Sequence, residues 1–316
     1  MMKKKLVRQI IMQVVIYVVA FIIFQVLMGT GVINSFWQGI FLLCGINIIL
    51  AVSLNLATGY LGQLTLGHAG FMSVGAYTSA LLSIHLGLPF PITLIIGALA
   101  AGVVGLLIGI PILRLKGDYL CIITLAFNEI IRVIMVNLNI TNGAKGLIGT
   151  PNETTFGWVF WLMALTIFVV YSIVHSRHGR AIIAIREDDT ASELSGINNV
   201  YYKILAFAIS ALFAGLAGGL YSHYIGVLVP KYFDYNKSVE ILVMVVLGGM
   251  GNLTGSIIAA VALTIIPSLL MSFSQYRMLI YAIVLIAAML LKHSDAGIAL
   301  RAKLPSFHRK NPEVSE

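Results

Sequence analysis

The chain has 316 residues, of which 59% are hydrophobic and only 10% charged, and its mean hydropathy is +0.97. Soluble domains contain about 25% charged residues, so the 20 basic and 12 acidic side chains are too few to cover a water-soluble surface of this size. The net charge of +8 is divided among the termini and the connections between apolar segments, a distribution that disfavours a nucleic-acid-binding protein.

Ten apolar segments follow one another along the chain, and most approach the roughly twenty residues that a helix needs to cross a bilayer. They run from Ile10 to Met28, Phe36 to Ala57, Gly62 to Ile84, Pro91 to Leu113, Tyr119 to Val136, Trp158 to Val174, Ile204 to Tyr224, Val239 to Leu247, Ser256 to Phe273 and Met278 to Leu291. The segment from Val239 is too short to cross alone, and the glycines after it indicate a break. We predict an all-α polytopic membrane protein with roughly ten transmembrane helices; about eight, with re-entrant segments, is the alternative.

Lys and Arg residues alternate between the connections, as the positive-inside rule requires. The N-terminus, the turn at 114–116, the loop 175–203 and the tail 292–316 are basic, whereas the intervening connections carry at most a few basic residues. Both termini are therefore predicted to be cytoplasmic. The whole chain, 1–316, is interpreted as one transmembrane domain that contains the cytoplasmic loop 175–203 and ends in the short cytoplasmic tail 292–316.

The third apolar segment is unusually rich in glycine, with glycines at 59, 62, 67, 70 and 75. Each costs a helix about 1 kcal/mol relative to alanine, and in lipid the freed backbone groups need partners from other helices or from a cavity. Gln63, Thr65 and His68 either line a pathway or pack between helices, and both hypotheses stay open. His68 is predicted to serve as a hydrogen-bonding residue and not as a proton carrier or metal ligand.

Other small-residue patterns predict close helix packing. They occur at Gly105-x-x-x-Gly109 and at Ala211-x-x-x-Gly215-x-x-x-Gly219. A weak internal similarity also relates the segments 59–65 and 248–254, which share the pattern Gly-x-x-Gly-(Gln/Asn)-Leu-Thr. Both segments are predicted to face the cytoplasm, which argues against an inverted repeat.

Asn128, Glu129 and Arg132 lie within the fifth predicted span. A charge near the membrane centre is costly, but Glu and Arg three residues apart on a helix share a face and neutralise each other. A paired carboxylate stays ionised, so the spacing favours a structural pair over a proton relay.

The loop 175–203 contains the signals of a short capped helix. Asp188 or Asp189 can cap its start, and Gly196 can end it in the left-handed conformation. A short, capped helix in such a loop is typical of a docking element for another protein; a solvated connector is the alternative. The chain contains no Gly-Lys dipeptide and hence no Walker A loop, so we expect it not to hydrolyse nucleotide by that machinery and not to be an enzyme.

Four separated segments together point to a known family. They are Asn55–Tyr77, Arg114–Leu120, Thr124–Arg132 and Val246–Gly255. In this order they resemble the LivM-type permeases, which are membrane subunits of bacterial ABC importers for branched-chain amino acids. The segments that begin at Arg114 and Thr124 look more like LivM than like its sister subunit LivH.

The resemblance implies which residues contact the ATPase. In that family a cytoplasmic loop carries an EAA-like motif, and the run from Glu187 to Gly196 is similar, although Ser192, Leu194 and Ser195 surround Glu193 where the family often has alanines. The predicted docking residues are Arg186, Glu187, Asp188, Asp189, Ser192, Glu193 and Gly196. The residues predicted to line the translocation path are Gly62, Gln63, Thr65, His68, Asn128 and Glu129.

The resemblance also implies a function and a set of partners. The chain would form half of a pathway for leucine, isoleucine and valine in the bacterial cytoplasmic (inner) membrane. It would work with a LivH-like second permease, two cytoplasmic ATPases and a periplasmic or lipid-anchored solute-binding protein. It would hold no cofactor, because ATP and Mg bind to the ATPases. The alternatives are a permease of the same type for urea, amides or other amino acids, and a secondary transporter driven by an ion gradient through Glu129 or His68.

Overall fold

The computed structural model describes residues 34–112, 117–269 and 286. The first predicted span, the last one apart from Ile286, and the tail 292–316 lie outside these residues. The chain divides into two compact units, Met1–Ile265 and Ile266–Glu316. The architecture below is that of the first unit; the described part of the second is the end of one helix and Ile286.

The described chain is almost entirely helical. Its helices are α1 (Ser35–Leu54, continued by a π-helical turn Asn55–Tyr60), α2 (His68–Leu86), α3 (Phe90–Ile112), α4 (Asp118–Asn137), α5 (Phe156–His175), α6 (Arg177–Glu187), α7 (Asp189–Leu194), α8 (Asn199–Ile225), α9 (Tyr235–Gly248) and α10 (Leu253–Leu269). Short 3-10 helices lie at Asn139–Thr141, Gly143–Lys145 and Pro230–Phe233. Two short strands, β1 (Leu147–Ile148) and β2 (Val227–Leu228), pair antiparallel with Leu147 opposite Leu228.

Six of the described helices are long and apolar enough to cross a membrane: α1, α2, α3, α4, α5 and α8. This confirms an all-α polytopic membrane protein. The segment from Val239 forms the 14-residue helix α9, which is shorter than a span, as its length predicted. A further apolar helix, α10, has 17 residues.

The third predicted span begins later than the sequence indicated. We expected a helix from Gly62, but α2 begins at His68, and the segment 61–67 is irregular. Gly62 has a φ of +77°, which ends the preceding helix, and the Gln63 amide donates to Ala57 O at 3.1 Å. The residues just before His68 therefore connect two helices instead of extending one.

The core of the bundle is a close contact among α2, α3 and α8. Gly75 on α2 lies directly against the backbone of Gly215 on α8, and Gly105 on α3 lies against the side chain of Ala211. These contacts confirm the packing role predicted for the small-residue patterns. In contrast, α4 and α5 are only 22% and 28% buried, so most of their surface is left for lipid or partner helices.

The glycine contacts predict a difference between two buried helix positions. A Cβ at Gly75 would overlap the Gly215 backbone, whereas one at Gly102 would lie 3.4 Å from Leu212 Cβ, an ordinary contact. Gly75→Ala should destabilise the bundle by about 1–3 kcal/mol through overpacking. The matched control Gly102→Ala should be neutral or stabilising by up to about 1 kcal/mol, because alanine is the better helix former. Unfolding free energies measured in detergent by denaturant titration check this; equal losses in both variants would contradict it.

Candidate functional site

The irregular segment 61–67, which we call the glycine turn, is held by neighbouring helices. The Leu66 amide donates to Thr124 Oγ1 on α4 at 3.0 Å, and the Ala69 amide, in the first turn of α2, donates to Ser238 Oγ on α9 at 3.0 Å. Gly67 leaves no space for a side chain, because a Cβ there would lie 2.9 Å from Thr124 O. Side chains of α4 and α9 thus accept the hydrogen bonds that these backbone amides would otherwise donate to water.

His68, at the start of α2, is 2% exposed and has a hydroxyl partner. Its Nε2 lies 3.0 Å from Ser53 Oγ on α1, and Ser210 Oγ on α8 donates to Ser53 O at 2.7 Å. The hydrogen bond accounts for a polar ring at this depth without a metal. Within residues 34–112 and 117–269, no group of three or more His, Cys, Asp or Glu residues is placed to hold a metal ion.

Several buried side-chain polar atoms have no hydrogen-bond partner among the described residues, and two of them belong to predicted path residues. Asn128 is fully buried on α4; its Nδ2 donates to Phe233 O at 3.3 Å, but its Oδ1 is unpaired. Gln63 Oε1 is also buried and unpaired. An unsatisfied buried acceptor costs about 1–3 kcal/mol, so these oxygens are positions at which a water molecule or a polar solute would be stabilised.

Glu129 forms the predicted pair with Arg132. Arg132 Nε donates to Glu129 Oε2 at 2.7 Å, and the Tyr235 amide donates to Oε1 at 3.1 Å. The carboxylate therefore also satisfies a free amide at the start of α9, where negative charge suits the helix dipole. Beside it is an open pocket of about 510 Å³, which is also lined by Lys231 and Asp234.

The loop between α5 and α8 contains the short helix that its capping residues predicted. Asp188 Oδ1 accepts from the amides of Thr190 and Ala191 at 2.8 and 3.0 Å. At the other end Gly196 has a φ of +83°, and its amide donates to Glu193 O at 3.0 Å. Both ends of α7 are therefore closed by local hydrogen bonds.

One side of α7 is anchored on the start of α8. Lys203 Nζ lies 2.8 Å from Asp189 Oδ1, and Ser192 Oγ donates to Asn199 Oδ1 at 3.0 Å. Ser192 is only 4% exposed. Asp189 and Ser192, which we predicted to contact a partner, thus also hold the loop together.

The other side of α7 is open. Glu187, Glu193 and Gly196 are exposed, and Leu194 is 85% exposed. Leu194 is absent from the docking residues that the sequence predicted. It is an exposed apolar side chain at the end of a short helix with capping residues on both sides.

Arg186, which the sequence also predicted to be a docking residue, contacts the transmembrane bundle. Its Nη1 donates to Gly59 O, at the end of the π-helical turn, at 2.8 Å. A Cβ at Gly62 would lie 2.9 Å from Arg186 Cγ. Arg186 thus joins the loop to the π-helical turn through its guanidinium group and lies against the glycine turn with its aliphatic part.

The six predicted path residues do not share one of the two pockets described. Gly62 and Gln63 line a pocket of about 280 Å³ together with Arg186, Asp189 and Lys203, on the side of the loop. Glu129 lines the 510 Å³ pocket instead. Thr65, His68 and Asn128 are buried. The arrangement thus has polar groups at two separate openings and buried polar side chains elsewhere.

The ion pair that anchors α7 generates a prediction about the loop. Lys203→Met should leave Asp189 without its counter-charge in a half-buried site, so α7 should detach from α8 more often. Limited proteolysis within 187–198 should then be several times faster than in the unmodified protein, with the transmembrane helices still intact. Lys231→Met, at an exposed position in the connection before α9, is the matched control and should change nothing. Equal cleavage rates in the two variants would count against the anchoring role.

Comparison with known proteins identifies relatives over most of the chain. The family model for "Branched-chain amino acid transport system / permease component" matches residues 36–291. The high-affinity branched-chain amino acid transport permease LivM of Escherichia coli is 38% identical, and the match covers 74% of this chain but only 63% of the length of that protein. A probable LivM of Methanocaldococcus jannaschii is 29% identical over 72% of this chain and 79% of its own length.

A permease with a different named cargo is also similar. The ribose import permease RbsC of Escherichia coli is 28% identical, with 77% of this chain and 78% of the relative covered. No solved structure matches the chain.

Proposed function

Because the chain belongs to the family of permease components of branched-chain amino acid transport systems, we propose that it is the permease subunit of a bacterial ABC importer. It forms half of a pathway for leucine, isoleucine and valine and couples to cytoplasmic ATPases. The 38% identity to LivM supports this cargo over that of the more distant ribose permease. Permeases of the same type for urea, amides or other amino acids are the alternative.

The observation that carries the proposal is the construction of α7. A transport subunit without an ATPase of its own must receive force from a partner, and a flexible loop transmits force poorly. Here the helix is capped by Asp188 and Gly196 and anchored by Asp189, while Glu193 and Leu194 remain exposed. A rigid helix with an exposed apolar tip suits insertion into a groove on another protein.

The proposed topology follows from this role. The loop 175–203 and both termini are cytoplasmic, the chain has roughly ten transmembrane helices as one permease domain, and the membrane is the bacterial cytoplasmic (inner) membrane. The tail 292–316 lies on the same side as the loop. A LivH-like second permease, two ATPases and a periplasmic or lipid-anchored binding protein complete the importer. This chain holds no cofactor, since ATP and Mg bind to the ATPases.

The proposed path uses Gly62, Gln63, Thr65, His68, Asn128 and Glu129. Gln63 and Asn128 support it, because each presents a buried oxygen for which the described chain supplies no donor. Glu129 borders the opening on the side away from the loop. When the ATPases close, α7 moves with them, and the helices around the glycine turn rearrange to open the path toward the loaded binding protein. ATP hydrolysis then returns the permease to its starting conformation.

Reconstitution tests the proposed function. The chain, its partner permease and the ATPases are placed in proteoliposomes with the binding protein outside, and labelled leucine, isoleucine and valine are supplied. ATP inside the vesicles should drive uptake, and urea or ribose should not compete. Accumulation by this chain alone under a proton or sodium gradient, without ATP, would establish the secondary-transporter alternative instead.

The unpaired oxygen of Gln63 predicts a transport defect without an assembly defect. Gln63→Leu removes an acceptor worth roughly 1 kcal/mol and should lower uptake by about fivefold. Gln63→Asn keeps the amide and should retain more of the activity. Uptake rates normalised to the amount of assembled complex check this. Full activity of Gln63→Leu would assign the residue to packing alone.

The exposed tip of α7 predicts a docking defect. Leu194→Asp places a charge where an apolar contact is expected and should weaken co-purification of the ATPases by more than about tenfold. Leu194→Met keeps an apolar side chain of similar volume and should bind normally. Affinity is measured by titrating the purified ATPase against the permease pair in nanodiscs. Equal affinities for the two variants would remove α7 from the interface.

A further inference from the structure

The two glycine-containing segments that resemble each other in sequence also share a glycine with a positive φ angle. We call residues 59–65 the first break and residues 248–254 the second break. Gly62 and Gly251 occupy the same position in the shared pattern, and their φ angles are +77° and +80°. Each break ends one helix and precedes another: the first joins α1 to α2, and the second joins α9 to α10. The left-handed conformation explains why glycine occupies both positions.

The two breaks are in direct contact. The Gly251 amide donates to Asn55 Oδ1, in the π-helical turn before the first break, at 2.9 Å. A Cβ at Gly251 would lie 3.4 Å from Gly59 O, and a Cβ at Gly59 would collide with the Gly251 amide. Four helices, α1, α2, α9 and α10, therefore begin or end near one point, where backbone packs on backbone.

Arg186 contacts both breaks at this point. Its Nη1 is hydrogen-bonded to Gly59 O in the first break, and the same atom lies 2.8 Å from the position of a Cβ on Gly251 in the second. Along the chain, Arg186 is separated from Asp188, the cap of α7, by Glu187 alone. The positive charge also complements the helix end whose carbonyl it binds. One side chain thus joins the base of α7 to both breaks.

We propose that Arg186 is a positioning residue that transmits the displacement of α7 to the two breaks, so that α1, α2, α9 and α10 move together. This inference rests on the proposed function, in which α7 moves with an ATPase. A guanidinium group suits the task, because its several donors in a plane keep a hydrogen bond to a carbonyl while the neighbouring backbone shifts. The glycines suit it too, since backbone without side chains absorbs changes in φ and ψ.

The test separates coupling from assembly. Arg186→Gln, Arg186→Lys and the control Arg180→Gln, which removes a charge from an exposed position on the same helix, are reconstituted with the complete importer. ATP hydrolysis and solute uptake are measured in the same vesicles. Arg186→Gln should hydrolyse ATP and yet import between about twofold and thirtyfold less solute per ATP, the range expected when one residue of a coupling network is lost.

The two other variants define the chemistry. Arg186→Lys keeps the charge but replaces the planar guanidinium group by a compact ammonium group, and it should recover part of the uptake per ATP. Arg180→Gln should match the unmodified complex. If an assembled Arg186→Gln complex imports as much solute per ATP as the unmodified complex, the proposal is overturned. If Arg186→Gln does not assemble, Arg186→Lys is compared with the unmodified complex in the same way. Equal amounts of solute imported per ATP hydrolysed would then overturn the proposal.

A second measurement does not depend on transport. Hydrogen exchange of the purified chain in detergent should show faster exchange at the amides of both breaks in Arg186→Gln, but not in Arg180→Gln. Unchanged exchange at the Gly251 amide would overturn the proposed role of Arg186 at the two breaks, even if the importer works as proposed. Conversely, the unmodified complex could fail to import solute while exchange at both breaks still responds to Arg186→Gln. That result would refute the proposed function but not the contact of Arg186 with the two breaks.

Discussion

The structure depends on one constraint: in a bilayer, a helix that stops must find protein partners for its free backbone groups. The glycine turn meets this constraint with side chains from two other helices. Thr124 on α4 receives the Leu66 amide, and Ser238 on α9 receives the Ala69 amide. Because these partners come from distant parts of the chain, the turn forms only when the bundle is assembled around it. The same requirement explains why Thr65, Gly67 and Ala69, at the end of this glycine-rich segment, are buried by other helices.

Charged groups in this bundle follow the same requirement for partners. Glu129 is bonded to Arg132 and to the start of α9, and Asp189 is bonded to Lys203 and the start of α8. In each case the carboxylate connects the helix that carries it to a neighbouring helix, Glu129 on α4 to α9 and Asp189 on α7 to α8. Such groups stabilise a particular arrangement of the elements more than they stabilise the helices themselves. In the loop, this arrangement fixes one side of α7 and leaves the other side open.

The sequence predicted much of this architecture, because hydropathy and length are local properties. All six described spans end within about three residues of the predicted positions, and four of them also begin within about two. The cap at Asp188 and the glycine ending at Gly196 were both expected. The start of α2 was misplaced, because the hydrophobic residues of 61–67 continue the pattern of a span while Gly62 ends the helix.

The orientations of Ser192 and Arg186 could not be predicted in the same way. They depend on Asn199 and Gly59, and no sequence spacing places those residues beside the loop. The unpaired oxygens of Gln63 and Asn128 likewise result from which distant segments pack around them, and a local pattern does not encode this packing.

The glycine contacts among α2, α3 and α8 limit which parts of the molecule can change shape. Backbones that touch along their length, as at Gly75 and Gly215, have few side chains between them that could rotate to accommodate sliding. These contacts hold α2, α3 and α8 together against sliding past one another. A displacement of α2 would therefore pass to α3 and α8 as a rigid-body movement, because few side chains lie between these helices to absorb it.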